Sequence, residues 1–246
     1  MQVSKSFILG SNEHDEAVRV LVDHHQPEYV EIDASSERIW RTWPAVGSPL
    51  VTWCEAPVSD RLFYKILDCT AFDKLPGGGA LRLRALQATY VAYAAVLESA
   101  RDAGAVPPPA LVPAELLYGA FELAVKMPFV GTHTVDERAL ASGVAVLDAI
   151  VPALVWLARR RLMFVDLRGR NIVVDGDGRY YLVDYDDMVV LTEPATAAEA
   201  LIGAMRADAA EKQYTCALDA IGPLEQQIIK CYDGCGAVSP PSEVGR

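Results

Sequence analysis

Residues 171–187 read NIVVDGDGRYYLVDYDD, two short apolar runs on either side of Asp175-Gly176-Asp177-Gly178. Asp-Gly steps accept the backbone angles of a tight antiparallel turn, so the run predicts a β-hairpin leaving Asn171 and returning to Asp184. A hairpin fixes which residues stand side by side. Asn171 and Asp184 become neighbours, and Asp166 lies above them in the loop LMFVDLRGR that feeds the first strand. Two oxygen donors beside a third carboxylate suit Mg²⁺, a hard cation that keeps some waters and takes further ligands from phosphate. Asp166 is then free to orient a hydroxyl nucleophile and accept its proton, and what remains in phosphoryl transfer is positioning and charge neutralisation. Arg159, Arg160, Arg161, Arg168 and Arg170 crowd this stretch of an otherwise acidic chain, with Arg168 and Arg170 flanking the expected metal site.

The rest of the chain predicts what surrounds the hairpin. From Tyr29 to Trp53, aromatic and β-branched residues mix with polar ones, the pattern of short antiparallel strands. RLFYKILDC alternates as a strand with Lys65 near its middle, and LPGGGA then leads into a long Ala- and Leu-rich helix, LRLRALQATYVAYAAVLESARDA. Three consecutive prolines in PPPALVP end that helix. LLYGAFELAVKMPFVG predicts two strands around Tyr118–Gly119, Asp136 to Arg161 a second long helix, and the stretch from Thr196 onward further helix broken at Gly222-Pro223. The last dozen residues have the composition of a frayed end. Strands gather in the first half and helices in the second, which is α+β.

Bulk properties exclude several classes. A net charge of −11 lacks the basic surface a nucleic-acid binder needs. No apolar run is long enough for a transmembrane helix, and the start MQVSKSFILGSNEHDE turns acidic too soon for a signal peptide. Five scattered cysteines are expected as free thiols in a soluble, reducing, cytoplasmic setting. Cys231 and Cys235 lack the second ligand pair of a zinc site. With 52% of its 246 residues hydrophobic, the chain can bury a substantial core.

Phe164-Val165-Asp166-Leu167-Arg168-Gly169-Arg170-Asn171, the hairpin, and Asp184-Tyr185-Asp186 together resemble the catalytic core of the protein-kinase-like superfamily. That superfamily spans protein kinases, aminoglycoside and choline phosphotransferases and small atypical kinases. Its pattern runs H-R-D-L-x-x-x-N, then a hairpin, then D-F-G. WLARRRLMFVD also resembles the family's L-H-x-x-G-(I/V)-x-H-x-D run, with the His and Gly positions changed. The similarity covers roughly residues 60–190, and it is specific in the catalytic loop and hairpin.

The resemblance implies a bilobal fold with a β-rich N-lobe to Lys126, a hinge at 127–131 and a reduced helical C-lobe from 132 to 246, with ATP and Mg²⁺ between the lobes. It implies that Asp166 is the base, that Asn171 and Asp184 hold the metal, that Lys65 holds the α- and β-phosphates, and that Arg168 or Arg170 stabilises transferred charge. Met127 and Phe129 fall on the strand that presents backbone groups to adenine, and Glu98 is the sole glutamate of the first long helix to pair with Lys65. Family spacing for that glutamate points instead to Gln87 or Thr89. No G-x-G-x-x-G precedes Lys65, no A-P-E follows, and Asp186 stands at the third position of D-F-G, as in small-molecule and atypical kinases. The implied activity is transfer of the ATP γ-phosphate to a hydroxyl acceptor, protein Ser/Thr first. A small-molecule kinase or a nucleotide-binding pseudokinase are the alternatives. Plainer roles stand beside these: Asp175 and Asp177 as turn formers, Lys65 as a solvated strand lysine, Glu98 as a helix-surface residue, Arg159–Arg161 as a helix cap, and Trp40, Trp43, Trp53 and Trp156 as packing.

Overall fold

A computed structural model describes residues 41–44, 51–55, 62–68, 79–118, 122–131, 133–136, 140, 143–212 and 215–234. Trp40, Cys69, Cys235 and most of the stretch from Tyr29 to Trp53 lie outside the described residues.

Three strands open the described chain: β1 (Arg41–Pro44), β2 (Val51–Glu55) and β3 (Leu62–Asp68). Helix α1 (Gly79–Asp102) follows, then β4 (Glu115–Tyr118) and β5 (Glu122–Pro128). These strands form one antiparallel sheet in the order β1-β2-β3-β5-β4. Lys65 sits on the central strand, opposite Trp53 on one side and Val125 on the other. That central place is why Lys65 is buried, and Val125 beside it is fully enclosed.

Helix α1 is enclosed through its middle. Every residue from Leu86 to Tyr93 is buried, while Glu98 and Ser99 near its end are exposed. After the prolines, Leu111 bridges to Leu182 and Ala110 O accepts from Leu182 N at 2.8 Å. This joins the exit of α1 to the later hairpin.

The second half holds more strand than its sequence pattern suggests. β6 (His133–Thr134), β8 (Ile172–Val174) and β9 (Tyr180–Leu182) form one small antiparallel sheet, and β7 (Leu162–Met163) pairs with β10 (Val189–Val190). The expected hairpin is β8–β9, in register Ile172↔Leu182 and Val174↔Tyr180. Asp175 Oδ1 accepts from the amides of Asp177 and Arg179, each at 2.9 Å, and Gly178 takes φ +80°, so the Asp-Gly steps act as turn formers.

Helix α2 (Val144–Ala158) packs against β7, β9 and two later helices, α3 (Ala198–Glu211) and α4 (Thr215–Gly234). Two boundaries differ from expectation. The second long helix begins at Val144 rather than Asp136, because Gly143 is extended (φ −90°, ψ 93°) and interrupts an otherwise helical pattern. Gly222-Pro223 does not break α4: both residues are exposed, so water can solvate the backbone carbonyl that proline leaves unpaired. Pro152 in α2 is likewise exposed. Trp156 packs beside the core with the Arg160 guanidinium 3.9 Å above its ring, and Arg159 caps the helix. Mixed helices and small antiparallel sheets make the protein α+β. None of the described helices is long and apolar enough to cross a membrane.

Candidate functional site

Three segments converge on one place: the middle of β3, the loop between β7 and β8, and the residues just after β9. Lys65 Nζ donates to Asp184 Oδ1 at 2.7 Å and also to Asp186 Oδ2. Sheet and hairpin therefore meet through one buried ammonium and two carboxylates. The backbone after β9 is held for this purpose. Val183 N donates to Asn171 O at 2.9 Å, and Asp184 takes a left-handed φ of +64°. Asp tolerates that conformation better than most residues, but at a cost the neighbouring contacts must offset.

Tyr185 anchors the turn between the two aspartates. Its ring is fully buried, stacked on Tyr93 at 4.1 Å and edge-on to Phe164 at 5.9 Å. Its hydroxyl donates to Leu182 O at 2.6 Å and accepts from Val112 N at 3.0 Å. With the ring locked, the side chains on either side of it face the β3 lysine. Tyr90 of α1 adds a hydrogen bond of 2.9 Å to Asp186 Oδ1, and Thr89 Oγ1 reaches Asp186 O at 3.3 Å.

The second group forms around Asp166, which is buried. Asn171 Nδ2 donates to Asp166 O at 2.9 Å and to Asp166 Oδ2 at 3.1 Å. Asp166 Oδ1 accepts no hydrogen bond but lies 3.3 Å from Arg168 Nε and 3.4 Å from Lys212 Nζ. The loop has this shape because Gly169 packs against the backbone of Val135, where a Cβ would come within 2.2 Å of Val135 O. The short 3₁₀ turn Gly169–Asn171 then delivers Asn171 into β8.

Electrostatics set this place apart. Burial lowers the Lys65 pKa, but the charges of Asp186 and Asp184 outweigh it and raise the pKa above that of an ordinary lysine. For Asp184, burial works against ionisation, but Lys65 prevails and holds the carboxyl below its usual range. Burial and the adjacent Asp184 push Asp186 up to about 6. Two carboxylates facing one ammonium leave an excess of negative charge in a sheltered place, a setting that favours a further cation.

Asn171 immediately precedes β8 and Asp184 follows β9, so both lie at the open end of the hairpin. Both hydrogen bonds of Asn171 to Asp166 use its amide nitrogen, so neither occupies the amide oxygen. Among the described residues no three His, Cys, Asp or Glu side chains form a ready-made metal centre. A cation here would take Asn171 and Asp184, with further oxygens from water or phosphate, which fits Mg²⁺ and not a dedicated protein cage.

The other sequence candidates fall as follows. Met127 is buried on β5 opposite Phe63, and Phe129 follows the end of that strand, half-buried. Gly131 packs so closely on the hairpin that a Cβ would lie 2.7 Å from Val174 O. Arg170 is exposed, while Arg168 is largely enclosed beside Asp166. Glu98 is exposed near the end of α1, and the carboxylates on Lys65 are those of Asp184 and Asp186. Two participants went unseen in the sequence. Lys212, at the end of α3, lies 2.8 Å from Asp208, 2.9 Å from Asp187 and 3.4 Å from Asp166. It carries no motif, and only folding brings α3 to the loop. Tyr90, which donates to Asp186, likewise carries no motif that marks it in the Ala-rich helix.

No protein-family model matches the chain, and no curated protein matches it in sequence. Among solved structures the chain is similar to WbdD, in a co-crystal structure with the kinase inhibitor LY294002 (TM-score 0.45) and in a 2.2 Å crystal structure (TM-score 0.46). Identity is 12% in both, over 77% of this chain, which spans only 45% of theirs.

Proposed function

We propose that this protein is an ATP-dependent phosphotransferase with a bilobal kinase-like arrangement, moving the γ-phosphate of ATP to a hydroxyl acceptor. The observation that carries the reading is the 2.7 Å contact of Lys65 Nζ with Asp184 Oδ1, between a sheet strand and the hairpin that also bears Asn171. A buried lysine beside a carboxylate carrying excess negative charge is what a metal–triphosphate needs on its two sides, a cation for phosphate oxygens and an anion for the metal. In this reading Lys65 binds the α- and β-phosphates, and Asn171 and Asp184 hold Mg²⁺. Met127 and Phe129 border the adenine. Mg²⁺ held by Asn171 and Asp184 would supply positive charge against the triphosphate.

Asp166 acts on the acceptor. Its Oδ2 is fixed by Asn171, and its Oδ1, enclosed beside Arg168 and Lys212, accepts no hydrogen bond among the described residues and is the oxygen an acceptor hydroxyl would have to reach. Arg168 and Lys212 stand beside that oxygen, placed to offset charge on the transferred phosphoryl group. A protein serine or threonine is the acceptor in the first reading, with a small hydroxylated molecule as the second. The test is ATP consumption by purified protein with Mg²⁺ against both acceptor classes, with Asp166→Ala as control. Turnover that persists in Asp166→Ala would overturn the assignment of the base, and failure to bind Mg²⁺·ATP would overturn the whole reading.

A further inference from the structure

Lys65 raises a question of charge that the proposed function leaves open. A buried ammonium needs a permanent anion, since moving it out of water unpaired is costly. In the kinase-like arrangement that anion comes from the helix after the lysine strand. Here the helix positions at the right spacing are Gln87 and Thr89, both buried and both neutral. Asp184 touches Lys65 but is committed to the metal in the reading above, so it cannot remain the sole partner of the lysine once nucleotide is bound.

Asp186 has the geometry the helix lacks. Its Oδ2 accepts from Lys65, its Oδ1 accepts from Tyr90 Oη at 2.9 Å, and its carbonyl accepts from Thr89 Oγ1 at 3.3 Å. Tyr90 is itself 1% exposed in the most enclosed part of α1. The Asp186 side chain is also more sheltered than that of Asp184, at 23% against 36% exposure. One carboxylate thus faces solvent and an incoming cation, while the other is clasped between lysine and helix.

We propose that Asp186 is the resident counter-ion of Lys65 and that Tyr90 anchors it, so that α1 positions the lysine through a tyrosine–aspartate relay. This rests on the phosphotransferase reading and adds two positioning residues to it. When Asp184 turns to the metal, Lys65 stays on Asp186 and keeps its remaining donors aimed at the phosphates. The glycine usual at this point of a D-F-G motif supplies no side chain, and an aspartate there takes over the charge that α1 does not provide.

Nucleotide binding in a double-mutant cycle tests the relay. Kd for Mg²⁺·ATP is measured for the parent, Asp186→Asn, Tyr90→Phe, Lys65→Met and the double variant Lys65→Met/Asp186→Asn, with Asp184→Asn alongside. Asp186→Asn is expected to weaken binding at least about tenfold, and Tyr90→Phe several-fold, because a misaimed buried charge loses most of its contribution. On the Lys65→Met background the Asp186 effect should largely vanish, whereas Asp184→Asn should still weaken Mg²⁺-dependent binding. Full additivity of Lys65→Met and Asp186→Asn would overturn the proposal and make Asp186 a metal ligand in its own right. Parent-like affinity in both Asp186→Asn and Tyr90→Phe would also overturn it. A parent that does not bind Mg²⁺·ATP defeats the phosphotransferase reading instead. In that case thermal unfolding of the ligand-free variants still decides the relay: on the Lys65→Met background the Tm change caused by Asp186→Asn should differ from its change in the parent, and additive shifts refute it.

Discussion

Asp184→Asn separates a nucleotide site from an incidental cluster of acids, and its effect can be worked out in both states of the protein. The amide keeps the volume of the side chain and tolerates the left-handed backbone at φ +64°, which an alanine would not do as well. In the free protein Lys65 has two carboxylate partners, so losing one charge leaves a balanced pair with Asp186. At 36% exposure the Asp184 side chain is partly screened, and free-protein stability should change by no more than about 1 kcal/mol. With ligand the two proteins diverge. At a hundredfold excess over Kd, a ligand that binds only the native state contributes about 2.7 kcal/mol, or roughly 5–11 °C in Tm for a protein of this size. If removing the charge weakens binding a hundredfold, the same ligand concentration contributes only about 0.4 kcal/mol, roughly 1 °C. A thermal-shift titration with ATP, with and without Mg²⁺, reads the difference directly. The parent should shift only when Mg²⁺ is present, and the variant should barely respond. Equal shifts in the two proteins would remove Asp184 from the metal site, and no shift in the parent at millimolar Mg²⁺·ATP would leave a scaffold that binds no nucleotide.

Asp166→Asn should lower kcat by about a thousandfold with Kd for Mg²⁺·ATP unchanged, since Asp166 is placed to serve the acceptor and not the nucleotide; equilibrium binding beside steady-state turnover checks both halves. Lys212→Met should lower kcat by roughly tenfold with little change in nucleotide affinity, because Lys212 stands beside Asp166 Oδ1 and makes no contact with Lys65 or Asp184; the same two measurements apply. Gly169→Ala should cost at least about 2 kcal/mol in urea unfolding, since its Cβ would lie 2.2 Å from a backbone oxygen that cannot swing aside.

How much of this was legible in the chain depended on how local each signal was. The hairpin could be read because its evidence is contiguous: Asp-Gly steps supply the turn and the flanking apolar runs supply the strands, so both ends of the ladder fall within one run of seventeen residues. Lys65 could be read as the centre of an alternating strand, and the hairpin ladder could be inferred, but their meeting follows only from how the β3 sheet packs over the loop. Chain order suggested that meeting without showing it. Helix boundaries failed where one residue outweighed a pattern, as at Gly143, or where burial decided what a breaker does, as at Gly222-Pro223 on an exposed face. The counter-ion of Lys65 was hidden for a deeper reason. A search for a charge on α1 finds Glu98, its sole glutamate, which lies late in the helix and is exposed in the folded chain. The charge comes instead from Asp186, whose role depends on two things no linear pattern carries. Tyr185 must be locked between Tyr93 and Phe164 so that its neighbours point toward β3, and Tyr90 must present its hydroxyl from the buried face of α1. Sequence alone shows an aspartate where glycine is usual and an aromatic residue on a core face, two unrelated departures. Packing makes them one device, since each satisfies a polar group that the other would leave buried and unpaired.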